Sequence, residues 1–270
     1  KSIEYSSPLI LFELSNMLLS MGDRYLIQYY MGSEAVGIYS AGYNLSDMVQ
    51  STISSPLRLA VMPIYLSIWN REGDESARQF ISNALNYYLM LGIPVILGVS
   101  WFGKEMIVLL ATSKFSEAYN IMPYIILPLV INGAFTLFGA GLFIHKKTKL
   151  LMYLTLSSGL LNILLNIFLI PSFGILGAAY ATLISYSVLA SLIAVSSYRY
   201  LKIKIQIAPI LKYVILSIIV LSLLSKYPVN TNNQILAKFF LVTILYLIFI
   251  IFFDRELRNK IISLFKNLRK

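Results

Sequence analysis

The sequence predicts an all-α fold: a polytopic membrane helix bundle of about eight transmembrane helices. Three observations predict it. Hydrophobic residues make up 58% of the 270 positions and charged residues 13%, where a soluble domain carries about 25% charged. Eight apolar segments, roughly 9–31, 37–67, 80–102, 119–144, 149–170, 174–198, 208–225 and 235–253, approach or exceed the ~20 residues that a helix needs to cross the hydrocarbon. The third observation is the placement of the 22 basic residues. With the N-terminus inside, only Lys104, Lys114, Lys226 and Lys238 fall in outer loops, Arg24 and Arg58 lie within spans, and the other sixteen flank the inner side. Such a bias marks the cytoplasmic side, so eight spans with both chain ends cytoplasmic satisfy it. Open strands are excluded because their backbone groups cannot be satisfied in lipid.

The elements follow in order. The first span carries Glu13, Asn16, Ser20, Asp23 and Arg24, which at about 100° per residue share roughly a third of the helix circumference. The second carries Asn44, Asp47, Ser51, Ser55 and Arg58, spaced 3, 4, 4 and 3, and also Pro56 and Pro63. Pro94 lies in the third span, and Pro123 and Pro128 in the fourth. Kinks of this kind are tolerated where neighbouring helices or waters satisfy the freed carbonyls. The fifth span has a milder stripe of Thr155, Ser158, Gly159, Asn162 and Asn166, suited either to helix packing or to a cavity wall. The sixth opens GILGAAYATLISY, with small residues four apart that permit close helix approach. The second span opens similarly with VGIYSAGYNL, so spans one and two resemble spans five and six as a weak internal repeat, a feature common in transporters.

Tyr29, Tyr30, Tyr198 and Tyr200 fit an aromatic belt. The tail from 254 to 270 places Leu257, Ile261, Leu264, Phe265 and Leu268 at helical spacing among basic residues, which predicts an amphipathic helix on the anionic inner leaflet. The organisation expected is a six-helix unit over 1–200, two additional spans over 201–253, and this cytoplasmic tail. The sequence opens at Lys1 and enters its first span within about eight residues, which reads as the start of a piece of a longer protein.

A charged side chain at the centre of a spanning helix costs about 2.5–3.5 kcal/mol on insertion scales. Two arginines, each on a stripe with acidic and amide neighbours, predict a wet cavity. Its expected lining is Arg24, Arg58, Asp23, Asp47, Glu13, Asn16 and Asn44, with Asn162 and Asn166 serving either cavity or packing. The alternative is that the two stripes pair across the helices, Arg24 with Asp47 for example. Arg24 is expected toward the outer leaflet and Arg58 toward the inner one. The cargo expected of such a cavity is anionic.

Other chemistry is excluded. There is no cysteine, hence no disulfide, thiolate zinc site or cysteine nucleophile. Gly98 to Lys104, GVSWFGK, is one residue short of a phosphate loop and is followed by Glu105 where Ser or Thr is needed. His145 is the single histidine and abuts Lys146 and Lys147 at the inner interface. No metal site, cofactor or enzyme motif is expected. The formal net charge of +10 is a topology signal and not a nucleic-acid footprint.

The stretch MGDRYLIQYYMGSEAVGIYSAGYNL, residues 21–45, and LNILLNIFLIPSFGILGAAYATLISY, residues 161–186, resemble the polysaccharide-biosynthesis flippases of the multidrug/oligosaccharidyl-lipid/polysaccharide exporter superfamily. The resemblance implies two six-helix lobes around a central cavity, of which this chain supplies the second lobe plus two extra C-terminal helices, the N-terminal lobe being absent. It implies movement of polyprenyl-diphosphate-linked oligosaccharide across the cytoplasmic membrane by alternating access. Arg24 and Arg58 would meet the diphosphate, and Asp23, Asp47 and Glu13 would tune them or couple to an ion. Implied partners are the lipid-linked oligosaccharide, membrane lipids, and a polysaccharide polymerase with its chain-length proteins. Competing readings are a cation-coupled drug or metabolite exporter of the same superfamily, and a membrane-embedded polymerase or ligase. The lack of a large extramembrane loop argues against the enzyme.

Overall fold

The structure, a computed structural model, describes residues 2–203, 206–227, 231–254 and 257–259, with side chains from Phe12 onward, Ser113 apart. Among these residues it is helical throughout, with no strand. The chain divides into two compact units, Lys1–Gln206 and Ile207–Lys270.

In the first unit α1 (Ser2–Met31), α2 (Ser33–Glu72) and α3 (Asp74–Leu110) follow one another through single-residue turns. Gly32 and Gly73 make these turns with φ of 85° and 88°, conformations that a side chain resists. A 3-10 segment, Ser113–Asn120, leads into α4 (Met122–Gly133), α5 (Phe135–Phe138) and α6 (Ala140–Ile144). The unit closes with α7 (Thr148–Phe173) and α8 (Ile175–Tyr198), joined by Gly174 at φ 60°. The α1–α2 and α7–α8 pairs, whose sequences resemble each other, thus share the same one-glycine joint.

Among the described residues five helices, α3, α7, α8, α9 and α10, are long and apolar enough to cross a membrane, and the pair Lys114–Asn120 and Met122–Phe138, bent by 61°, meets the same measure when taken together. The helices α1 and α2 have ample length, at 30 and 40 residues, but fall short in apolarity because the two polar stripes dilute their hydrophobic residues. The forty residues of α2 reach about 60 Å at 1.5 Å each, twice the hydrocarbon thickness. At its end Trp69 Nε1 donates to Asp74 Oδ1 at 2.5 Å, closing the α2–α3 turn.

Packing, not water exclusion, holds helices together in lipid, and the small residues do what that requires. A Cβ on Gly177 would collide with the backbone of Leu169, so α8 lies directly on α7. Ala178, Ala181, Thr182 and Ser185 continue this buried strip. One core cluster, including Tyr65, Ile81, Tyr88, Met122 and Ile126, joins α2, α3 and α4. A second, around Leu19, Leu142, Tyr186 and Ile193, joins α1, α6 and α8. Gly98 to Lys104 lies within α3, where Phe102 alone leaves the helical region at a kink, so the near-miss phosphate loop is no loop.

The second unit consists of α9 (Ile207–Ser225) and α10 (Asn232–Phe253). A reciprocal cap starts α10: Gln234 N–H donates to the Thr231 hydroxyl while the Gln234 side chain accepts from Thr231 N–H, two otherwise orphaned donors satisfied at once. Lys212 Nζ meets Asp254 Oδ2 at 2.5 Å. Most of the expected amphipathic tail, from 260 onward, lies outside the described residues.

Candidate functional site: a polar cavity in the first unit

The polar stripes of α1 and α2 face one cavity of about 750 Å³. Glu13, Asn16, Ser20 and Arg24 line it from α1, and Asn44, Asp47, Ser51, Ser55 and Arg58 from α2. These spacings of three and four put each set on one helix face, so the wall follows from the helical period alone. Further residues of these two helices and of α4, α5, α6 and α8 complete it, among them Asn132, Thr136 and Tyr186.

Arg24 is held from every side. Its Nε donates to the Ser40 hydroxyl at 3.3 Å, one terminal nitrogen to the Ser20 carbonyl at 2.6 Å, and the other to Asn44 Oδ1 at 3.2 Å. The guanidinium carbon sits 4.4 Å from the centre of the Tyr43 ring, a cation–π contact. Its ion pair is with the preceding residue, Asp23, at 3.7 Å. No Arg24–Asp47 ion pair forms, so the stripes do not cancel each other across the helices in that way. Arg58 is exposed to the cavity and has no ion pair or hydrogen bond among the described residues.

Asp23 itself is off the cavity wall. It is fully buried, accepts Arg24 N–H at 2.8 Å on Oδ1 and receives the Tyr39 hydroxyl on Oδ2. The Tyr39 hydroxyl also lies 3.4 Å from Thr182 Oγ1. This chain links α1, α2 and α8 and backs Arg24 from behind. Asn162 and Asn166 are likewise off the wall and fully buried on α7, where Asn166 Nδ2 donates to the Asn162 carbonyl at 2.9 Å and to its side-chain oxygen at 3.0 Å. Thr155, Ser158 and Ser185 are buried as well, each with its hydroxyl unpartnered. No group of three or more His, Cys, Asp or Glu side chains is placed to hold a metal among the described residues. His145 is exposed beside Trp69 and Tyr200, with ring centroids 5.9 Å and 5.3 Å away.

The lining includes residues that the sequence reading passed over: Gln50, Ser54, Asn132 and Thr136. Gln50 and Ser54 extend the α2 stripe by the same period. Asn132 and Thr136 interrupt an otherwise apolar run, and that polar interruption is their only mark in the sequence.

Residues 1–120 match the family described as "Polysaccharide biosynthesis protein". The chain is 25% identical over 207 residues to Agl15 of Haloferax volcanii, described as a probable low-salt glycan biosynthesis flippase; the match covers 76% of this chain and 43% of that protein. This chain therefore spans less than half the length of that relative. Its fold is that of the lipid II flippase MurJ in an inward closed conformation, with a TM-score of 0.75 at 19% identity over 93% of this chain and 53% of the other. It also resembles a MOP-superfamily transporter from Pyrococcus furiosus, at TM-score 0.55 and 20% identity over 83% of this chain and 52% of the other. In its first 120 residues the chain is thus similar to the polysaccharide-biosynthesis family, and in its all-helical fold to these flippases and transporters.

Proposed function

We propose that this chain forms one lobe of a flippase that moves polyprenyl-diphosphate-linked oligosaccharide across the cytoplasmic membrane by alternating access. The observation that carries the reading is the cavity wall holding Arg24 and Arg58 within an apolar bundle. Two arginines retained there against their insertion cost mark a path for an anionic group, and guanidinium suits phosphate by charge and by its planar fork of donors. The relative's description as a glycan-biosynthesis flippase supports the same cargo class.

In this reading residues 1–200 are the second lobe, residues 201–253 add two spans, and the facing cavity wall belongs to a lobe outside this chain. The basic-residue bias supports both ends being cytoplasmic, which sets Arg24 toward the outer leaflet and Arg58 toward the inner one. The protein transports and does not catalyse covalent change. A polymerase that receives the sugar at the outer face is the expected downstream partner.

Arg24→Ala or Arg58→Ala, expressed at wild-type level, should abolish surface polysaccharide. Normal polysaccharide in both variants would sink the cavity's role. The competing drug-exporter reading predicts altered drug susceptibility in a deletion strain with polysaccharide intact; the uncompensated charge of Arg58 disfavours cationic drugs.

A further inference from the structure

The cavity wall contains a broken helix with a tyrosine hydrogen bond at the break. In a continuous helix Ala134 N–H would donate to the Val130 carbonyl, four residues back. Here the Tyr88 hydroxyl of α3 takes that carbonyl at 2.7 Å. Ala134 N–H turns instead to the Ile131 carbonyl at 3.1 Å, and Ala134 leaves the helical region with φ −83° and ψ 2°. Gly133 makes room for this: a Cβ there would collide with the Tyr88 hydroxyl and the Gln50 amide. Irregular backbone at membrane depth is tolerated where it is buried in protein or lines a cavity, and Asn132, Gly133 and Thr136 all line this one.

The side chains around the break are polar and uncharged. Thr136 is 6% exposed and lines the cavity, and its hydroxyl is buried without a partner. Gln50, also 6% exposed, and Ser54 come to the break from α2. Between Asp47 and Arg58 that helix carries no charge over ten residues. Amides and hydroxyls both donate and accept, which matches a ring bearing several hydroxyls. A phosphate only accepts, and it finds its cations elsewhere on the same wall.

We propose that the break at Gly133 and Ala134, with Gln50, Ser54, Asn132 and Thr136 around it, is a subsite for the uncharged sugar of the cargo, distinct from the arginines that meet its diphosphate. This rests on the flippase reading. It makes Thr136 and Asn132 specificity residues: a buried unpartnered hydroxyl or a cavity amide favours a cargo that completes its hydrogen bonds over one that cannot.

The test uses the whole protein in lipid nanodiscs and two probes: bare polyprenyl diphosphate, and the same lipid bearing N-acetylglucosamine or glucose. Thr136→Val removes the hydroxyl at constant shape. It should weaken binding of a sugar-bearing probe about tenfold, the scale of one hydrogen bond, and leave the bare lipid unchanged. Thr136→Ser should restore the difference. Should Thr136→Val fail to fold, Asn132→Ala, at a partly exposed position, should show the same selective loss. Equal weakening of both probes, or no change with either, overturns the subsite while leaving the flippase intact. A wild-type protein that binds none of these lipids overturns the flippase reading and the subsite together.

Discussion

Replacing Gly133 with alanine tests whether the helix break is built as described. The added Cβ would meet the Tyr88 hydroxyl and the Gln50 amide, with Ser54 Cβ at 3.0 Å. Gln50 is the end of a flexible side chain and can swing away. Tyr88 cannot, because it is 2% exposed in the core and anchored to the Val130 carbonyl. Forced overpacking costs about 1–3 kcal/mol, and loss of the Tyr88 hydrogen bond adds about 0.5–1.5 kcal/mol, so a total of about 1.5–4.5 kcal/mol is expected. Because the colliding atom is the hydroxyl itself, Tyr88→Phe should relieve much of the cost. The Val130 carbonyl then becomes free to take Ala134 N–H back into the helix. The double variant should therefore be less destabilised than the sum of the two single changes, by roughly 1–2 kcal/mol, well outside the spread for independent sites. Thermal unfolding in detergent, followed by the fraction remaining monodisperse, reads all four proteins. Strict additivity of the two substitutions would refute the account of the break.

Tyr39→Phe should destabilise the first unit by about 1–3 kcal/mol, because it strips a donor from a fully buried carboxylate; adding Asp23→Asn should recover part of the loss, and a Tyr39→Phe protein as stable as wild type would contradict the Asp23–Tyr39 link. Gly174→Ala should cost about 1–3 kcal/mol in the same unfolding assay, since φ 60° with ψ −141° is open essentially to glycine and a Cβ would lie 3.2 Å from Met31 Cε; an unchanged midpoint would show that the α7–α8 joint relaxes.

The stripes of α1 and α2 were legible because one helical period governs both sequence spacing and cavity lining. Glu13, Asn16, Arg24, Asn44, Asp47 and Arg58 all lie on the wall for that reason. Asp23 shows where the period stops deciding. It stands only about 100° from Arg24, and which edge of the stripe turns inward depends on Tyr39, a residue of the next helix. Asn162 and Asn166 form an equally regular stripe, yet α7 turns it into the protein interior and away from the cavity. The helix break was harder still. Pro128 announces a kink in that segment, but the hydroxyl that meets the Val130 carbonyl beside the break at Ala134 comes from a residue 42 positions away. No local pattern encodes that contact.

The two arginines, equivalent in the sequence, differ in how much charge they offer. Arg24 has its nitrogens committed and a carboxylate at 3.7 Å, with 20% of its side chain exposed. Its field at the cavity is largely offset by Asp23. Arg58 has no such neighbour. On α2, Asn44, the partner of Arg24, lies fourteen residues from Arg58, about 21 Å along the axis, so one diphosphate cannot bridge both. At an effective dielectric of about 20, an unscreened charge at 4 Å attracts an anion by about 4 kcal/mol. A carrier must bind its cargo at one end of the path and let it go at the other. In the flippase reading, Arg58 then serves capture and the compensated Arg24 serves release. Arg58→Ala should weaken binding of polyprenyl diphosphate at least tenfold. Arg24→Ala should change that binding less than threefold while lowering thermal stability, because Arg24 ties α1 to α2. Equal losses of affinity in the two variants would refute the division of labour, since equivalent stations require equal free charge.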